Sequence, residues 1–434
     1  MNSTRLRLAG LGCGGRTRTY LSLASKQPDL FEIVGAADPV TARLDAVEAQ
    51  CGSPPGFRKF QTDRELLAEE KFADVLVIGT QDQQHHEHCL AAIRRGYDVL
   101  LEKPIATTLP DILELEQEAR RLGRRVLVCH VLRYTALYRK VKQLLTDGAI
   151  GEIIHLSATE GVGPWHQAHS FVRGHWAVVE RATPMIIAKC CHDLDIILWL
   201  MDDHCKAVSS FGGLEFFRAE RMPAGATLRC TDGCPHVGSC AFDAHRYLHE
   251  FRGWLPFVFD RAADASDPEI IEWLRSSPWG RCVYQCDNTA VDRQVVSMEF
   301  AKGAVAQLTM TAFATGRHLE IHGTAGVLRA GEAIREQTGS DILVVANDGT
   351  VTPFNTVADE GGYDGHGGGD QGLVNALHTA FLGRDPAALD TSLSASIESH
   401  VVGFAAEAAR TQRRIVDLEE FRHSLAPPAK LDGL

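Results

Sequence analysis

Apolar and polar positions change rhythm once along this chain. Over roughly the first 130 residues, short apolar runs alternate with stretches of helical periodicity. "RLRLAGLG", "FEIVGAAD", "ADVLVIGT", "DVLLEKP" and "RRVLVCH" read as strands; "DRELLAEE", "EHCLAAIRRG" and "LPDILELEQEARRLG" read as helices, the last ended by Gly123. Strands alternating with helices imply right-handed crossovers and a doubly wound parallel sheet. After about residue 150, strand-like runs follow one another closely: "GEIIHLSATEG", "AVSSFGGLEFF", "QVVSMEFAKG", "AVAQLTMTAFA", "RHLEIHGTAG" and "DILVVAND". They predict a large, mostly antiparallel sheet, interrupted by a helix over about 185–201 and closed by helices near 370–383 and 393–410. The expected division is 1–135 for the first domain and 136–434 for the second, with an insertion at about 216–281 and C-terminal helices packing back.

Bulk properties narrow the classes of function. A chain of 434 residues exceeds one ordinary core, so two domains are the default. A net charge of −12 argues against a nucleic acid or an anionic membrane as partner. No apolar run approaches the roughly 20 residues that span a bilayer. The opening "MNSTRLRLAGLGCGG" enters a strand without a signal-peptide core, so a cytoplasmic location is expected. Of 12 cysteines, five fall between Cys230 and Cys286, which suggests metal binding more than disulfides in a reducing compartment.

"GLGCGG" puts Gly10, Gly12 and Gly15 in G-x-G-x-x-G spacing between a strand and a helix. Gly10 permits the tight turn, Gly12 lets the backbone approach a pyrophosphate, Gly15 lets helix and strand pack, and the helix start favours an anion. The second strand ends at Asp38, whose carboxylate could accept hydrogen bonds from ribose hydroxyls and would repel a 2′-phosphate. NAD is therefore expected as cofactor; Arg43 leaves NADP open. "LLEKPIA" places Glu102, Lys103 and Pro104 at the carboxyl end of a buried strand, where open α/β sheets bind ligands. A lysine there is suited to proton transfer, although a surface Glu-Lys pair before a turn proline would look the same.

"GLGCGG", "AADP" and "EKPIA", followed by a sheet domain carrying "HDLD", resemble the glucose–fructose oxidoreductase, inositol dehydrogenase and rhizopine-catabolism family (Gfo/Idh/MocA) over nearly the whole chain. The resemblance implies an α/β Rossmann-type domain plus an α+β domain with an open-faced sheet. It also implies NAD(P)-dependent oxidation or reduction of a hydroxyl on a sugar, cyclitol or polyol, with Lys103 at the substrate hydroxyl and His192 as acid/base. Glu102 and Lys103 would also touch the cofactor. In "AKCCHDLD", Lys189, His192 and Asp195 would form one helical stripe, while Cys190 and Cys191 would point about 100° and 200° away, so a metal site there is disfavoured. Many family members carry an aspartate four residues before the histidine; here that position is Ala188, and Lys189 is a candidate substitute.

"GPWHQAHSFVRGHW" reads as a loop between strand and helix, offering Trp165, His166, His169, Arg173 and Trp176, with His175, as a carbohydrate lining. "YDGHGGGDQG" offers His366 and Asp370 as part of a lid or substrate loop. His130 could reach the nicotinamide or be a core histidine. Cys230, Cys234 and Cys240, with Cys282 preferred over Cys286 as fourth ligand, suit a structural zinc ion. The leading expectation is hydride transfer at a secondary hydroxyl, by a homo-oligomer assembled through the open sheet. Alternatives are a redox-assisted glycosidase or lyase with tightly bound NAD, and a non-catalytic nucleotide- or sugar-binding sensor.

Overall fold

Six short stretches, mostly apolar apart from the edge strand Arg58–Phe60, pair in register because a sheet covered on both faces can bury them. The computed structural model describes residues 5–356, 366–382 and 391–425. The six are β1 (Leu6–Leu11), β2 (Phe31–Ala37), β3 (Arg58–Phe60), β4 (Val75–Ile78), β5 (Asp98–Leu101) and β6 (Val126–Val128). They are parallel and ordered β3-β2-β1-β4-β5-β6, the doubly wound order of dinucleotide-binding folds. Helices cover both faces, burying Leu66, Leu76, Ile93 and Ile112 on one side and Leu8, Leu21, Leu44 and Val77 on the other. Local chemistry agrees with the packing. In the Leu109–Leu122 helix, Thr108 accepts from the N–H of Asp111 and Gly123 ends the helix at φ 62°.

The second sheet comprises β7 (Ile153–Val162), β8 (Cys205–Gly213), β9 (Arg293–Phe300), β10 (Val305–Thr311), β11 (Thr315–Gly323), β12 (Gly326–Gly331), β13 (Ile342–Ala346), β14 (Val351–Phe354) and β15 (Val416–Asp417). Its order is β14-β13-β12-β11-β7-β10-β9-β8-β15, antiparallel except where β10 meets β7. Buried and exposed positions alternate along β9 and β10, as a sheet with one covered face requires. Helix Cys191–Met201 packs on the covered face, and helix Leu393–Gln412 runs from there to the Rossmann sheet, joining both cores. Among the described residues, no helix is long and apolar enough to cross a membrane.

Three expectations need correction. The helix over 185–201 is two helices, Met185–Ala188 and Cys191–Met201, bent at Lys189 and Cys190. The predicted loop after β7 is helical from Pro164 to Val172. The insertion, expected at 216–281, occupies the whole connection from β8 to β9, residues 214–292, and Cys282 to Cys286 forms a turn within it.

Candidate active site

The glycine turn is packed too closely to carry side chains at Gly10 and Gly12. A Cβ on Gly10 would lie 2.9 Å from Leu21 and Thr17, and one on Gly12, at φ +79°, would lie 2.6 Å from the Thr80 side chain. The Gly15–Ser25 helix begins without a side-chain cap at Gly14, so its first N–H groups are open to an anion. Asp38 is buried beside the turn and accepts from the N–H groups of Cys13 (2.7 Å) and Val40 (2.8 Å). These features fit a bound NAD.

The turn is braced by charges. Arg16 donates to Glu102 Oε1 (2.8 Å) and, through both terminal nitrogens, to Asp370 (2.9 and 2.6 Å). Tyr20 donates to the same Glu102 oxygen (2.8 Å). Burial opposes charge on Glu102, yet Arg16, Lys103 and these hydrogen bonds hold it below the usual carboxylate range. Glu102 and Asp370 therefore fasten Arg16 in place. Asp370 also lies 3.3 Å from the ring of His366. The beginning of the predicted lid, 363–365, lies outside the described residues.

Lys103 follows β5, joined to Pro104 by a cis peptide. Two histidines clamp this turn: the ring of His85 contacts Pro104 O (2.6 Å), and His400 Nε2 accepts from the N–H of Ile105 (3.1 Å). Lys103 Nζ donates to the carbonyl of Ala188 (2.9 Å). In an unbroken helix that carbonyl would accept from the N–H of His192; the bend at Lys189 frees it. The position from which many family members offer a carboxylate thus offers a carbonyl.

His192 stands in a row of rings, 6.1 Å from His366 and 5.5 Å from His130, which is 5.8 Å from His400. Burial, then the charge of Lys103, pushes His192 well below the usual histidine range. Both ring nitrogens of His130 and Nδ1 of His192 are buried without a protein partner. His130, also pushed down by burial, is neutral.

Lys189 does not share a stripe with His192 and Asp195, because the bend parts it from the helix that carries both. Lys189 turns to Glu160 (3.2 Å), and Arg317 bridges Glu160 and Asp193 at 2.7 Å each. Burial and the Glu160 charge raise Asp193, while Arg317 and Lys189 hold Glu160 down against burial. Asp195 is buried on Arg133, paired through two 2.7 Å contacts.

The helical course of 164–172 splits the expected carbohydrate lining. Trp165, His169 and Arg173, four residues apart, face the insertion. Trp165 stacks on Phe251 (3.9 Å), His169 bonds Tyr247 (2.5 Å), and Arg173 donates to the carbonyls of Arg281 and Phe242. His166, one position on, lies by Trp254 (4.9 Å) and is pushed down to about 2 by burial and the charges of Lys189, His169 and Lys103. Trp176 donates from Nε1 to Asp82 (2.8 Å), tying the second sheet's domain to the loop after β4. His175 packs on Trp279. The structure thus brings together Lys103, Lys189, His192, His366 and His166, and turns Trp165, His169 and Arg173 away. Sequence reasoning missed Arg16, Tyr20, His85, Glu160, Arg317 and His400; only Arg16 and Tyr20, one turn apart just after the glycines, left a local signal.

The insertion also reaches the cofactor side. Ring carbons of Phe257 lie 3.1 and 3.2 Å from where a side chain on Gly15 would begin, and Asp260 pairs with Arg43 (3.0 Å).

Comparison with known proteins bears directly on this geometry. A family model described as an oxidoreductase family with an NAD-binding Rossmann fold (GFO_IDH_MocA) matches residues 6–130, and its C-terminal alpha/beta domain matches 142–353. The chain is 25% identical to the protein YteT of Bacillus subtilis (strain 168), over 82% of this chain and 83% of that one. It is 33% identical to an inositol 2-dehydrogenase of Serratia proteamaculans (strain 568), over 46% of this chain and 55% of that one. A solved NAD binding oxidoreductase from Klebsiella pneumoniae shares the fold at TM-score 0.68 and 18% identity, covering 95% of this chain and 99% of that one. With both domains matched in order, the chain belongs to the Gfo/Idh/MocA family of oxidoreductases.

Proposed function

We propose that the protein is an NAD-dependent oxidoreductase acting on a secondary hydroxyl of a sugar, glycoside or related polyol. What carries this reading is Lys103, held on the Ala188 carbonyl at the carboxyl edge of the parallel sheet, beside a His192 that burial keeps neutral. Gly10, Gly12 and the open helix start after Gly14 would hold the pyrophosphate, and Asp38 the ribose, which favours NAD over NADP. Bound NAD supplies the acceptor for the hydride leaving the hydroxyl-bearing carbon. His192 accepts the hydroxyl proton at Nδ1, which is buried without a protein partner and so is open to a substrate hydroxyl. Lys103 donates from Nζ to the same oxygen as negative charge develops on it. Lys189 is a positioning residue: with Arg317 it keeps Glu160 ionised and the bend before His192 fixed. His166 and His366 offer ring nitrogens to other hydroxyls. Similarity to an inositol 2-dehydrogenase supports the polyol or sugar class.

The test is purified protein with NAD against inositols, monosaccharides and glycosides. Nicotinamide absorbance should change in step with product for at least one member. Tight NAD binding with no turnover across the panel would overturn the reading in favour of a sensor.

A second reading, redox-assisted cleavage of a glycoside, is favoured by one observation: Phe257 and Asp260 lie along the cofactor's binding edge, which suits a cofactor retained between turnovers. Glycoside would then be consumed without added NAD and with no net absorbance change. We further propose that copies associate through the open sheet, whose strands expose Ile154, Phe211 and Val305; light scattering at the mass of one chain would refute this.

A further inference from the structure

Two distant segments of the insertion meet at one short bridge. Arg229 pairs antiparallel with Arg281, the N–H of Cys230 donates to Gly280 O (3.0 Å), and that of Cys282 donates to Leu228 O (2.9 Å). The bridge puts Cys230, opposite Gly280, and Cys282, opposite Leu228, on the same face of the pair as diagonal neighbours. The chain then turns at Gly233 and Gly238, both at positive φ, and returns through Cys234 and Cys240. All four cysteines line one cavity of about 20 Å³, closed in by Arg173 and Tyr284.

We infer that Cys230, Cys234, Cys240 and Cys282 bind one structural Zn²⁺ ion that fastens the insertion. The cavity holds about one water-sized sphere, which suits a single ion. Backbone N–H groups point at the sulfurs: Phe242 donates to Cys240 Sγ (3.4 Å), and Tyr284 donates to Cys282 Sγ by the same two-residue step. Such N–H groups are the donors that a metal-bound sulfur accepts from around it.

Arg173 provides the independent argument. Its side chain is buried, and no carboxylate lies within ion-pair distance of it among the described residues. Nη2 lies 3.8 Å from Cys230 Sγ, and Nη1 is buried without a partner. Two backbone carbonyls accept from this guanidinium, but a buried cation without a counter-charge remains unfavourable. Four thiolates on Zn²⁺ carry two net negative charges and would compensate it. Cys286 lies outside this arrangement: its thiol donates to the Cys282 carbonyl (3.4 Å), and it does not line the cavity.

Among the described residues no three of these sulfurs lie within 4.8 Å of one another. A ZnS₄ tetrahedron with 2.3 Å bonds has edges of about 3.8 Å. Closing it requires side-chain rotation, and a change of χ1 rotamer carries a sulfur through about 3 Å. The ion's role is closed and structural, since no ligand position is left for substrate.

The experiment is elemental analysis of the full-length protein purified under reducing conditions. The expected result is one zinc per chain, falling at least tenfold in Cys234→Ser and Cys240→Ser and unchanged in Cys286→Ser. Should the two ligand variants fail to fold, wild-type protein stripped with a mercurial and a chelator is titrated with Zn²⁺ against a chromophoric chelator. Uptake of one equivalent supports the site. Metal-free protein that takes up no Zn²⁺, a disulfide among the four cysteines, iron in place of zinc, or equal loss in Cys286→Ser would each overturn it.

Discussion

The two walls of the candidate active site are held in different ways. On the cofactor wall, Lys103 stands at the end of β5, a strand buried on both faces and paired with β4 and β6. The turn beyond it is clamped by His85 and His400. On the facing wall, the insertion has one isolated bridge and no strand. Its order rests on stacked rings, Trp165 on Phe251 and Phe259 on Trp273, and on arginines that reach carbonyls, Arg173 to Phe242 and Arg229 to Leu274. A ladder inside a sheet opens only with the domain, whereas a segment held by side chains opens at lower free energy. On the proposed reading, holding the reacting hydroxyl at Lys103 needs fixed distances and would fall to the rigid wall, while entry and retention need a part that yields and would fall to the insertion.

The largest effect expected from this contrast is chemical. Lys103→Ala and His192→Ala should each lower turnover by at least about 100-fold, the scale of a lost acid/base group, with NAD dissociation unchanged. Trp254→Ala, on the facing wall beside His166, should change KM more than kcat. Steady-state kinetics over a substrate series separates the two. If Trp254→Ala costs kcat as heavily as Lys103→Ala, chemistry is not confined to the rigid wall.

Acid should unsettle both walls, because each encloses a neutral histidine. Burial pushes His400, on the cofactor wall, and His169, on the insertion wall, down to about 3. Unfolded histidine titrates near 6.5, so between about pH 3 and 6.5 the unfolded chain binds more protons than the folded one. Stability therefore rises with pH across that window and is lost as pH falls below about 6.5, by up to about 1.4 kcal/mol per pH unit for each histidine. Denaturant unfolding at pH 5, 6 and 7 should show this, and His169→Gln should flatten the dependence by about one proton. A wild-type curve flat from pH 5 to 7 would contradict it.

The two walls also differed in how far the sequence disclosed them. Period-two and period-3.6 patterns and glycine spacing are local properties, so the Rossmann strands, the dinucleotide turn and Lys103 were legible in short windows. The clamp of His400 on Ile105 joins residues 295 apart, and Arg16 meets Asp370 across 354, so neither could be read locally. The stretch 164–173 was misread for another reason. The flanking Gly163 and Gly174 and its histidines suggested a loop, yet Trp165, His169 and Arg173 recur every four residues, a helical spacing that assigns them to one face and His166 to another. The bend at Lys189 was hidden because "AKCCHDLDIILWLM" carries no proline or glycine. It is a tertiary effect, in which Lys103 takes the Ala188 carbonyl and Glu160 draws Lys189.

A smaller effect tests the insertion as a retaining element. Phe257 is 63% exposed, so its ring does not serve the core, yet it lies against Gly15 at the start of the helix that would meet the pyrophosphate. Phe257→Ala should weaken NAD binding by about tenfold through faster release, about 1.4 kcal/mol, and leave thermal stability and kcat at saturating NAD unchanged. Stopped-flow displacement of bound NADH measures the release rate. An unaltered rate would mean that the insertion leaves cofactor exchange free.

The smallest effect concerns an ion pair that links the insertion to the ribose side of the cofactor site. Arg43, in the helix that follows Asp38, holds Asp260 through contacts of 3.0 and 3.4 Å, with 35% and 45% of the two side chains exposed. An exposed pair of this kind contributes under about 1 kcal/mol and weakens in salt. While Asp260 occupies it, Arg43 is not free to meet a 2′-phosphate, and its neighbour Asp38 repels one. Asp260→Asn keeps the side-chain shape and removes the charge that holds Arg43. The ratio of kcat/KM for NADP to that for NAD should then rise by a few-fold, at most about fivefold, and the gain should shrink in high salt. Asp38→Ser should raise the same ratio further, because it removes the repelling carboxylate itself. A change after Asp260→Asn larger than that after Asp38→Ser would assign cofactor choice to the insertion, and the division between a rigid chemical wall and a yielding one would have to be redrawn.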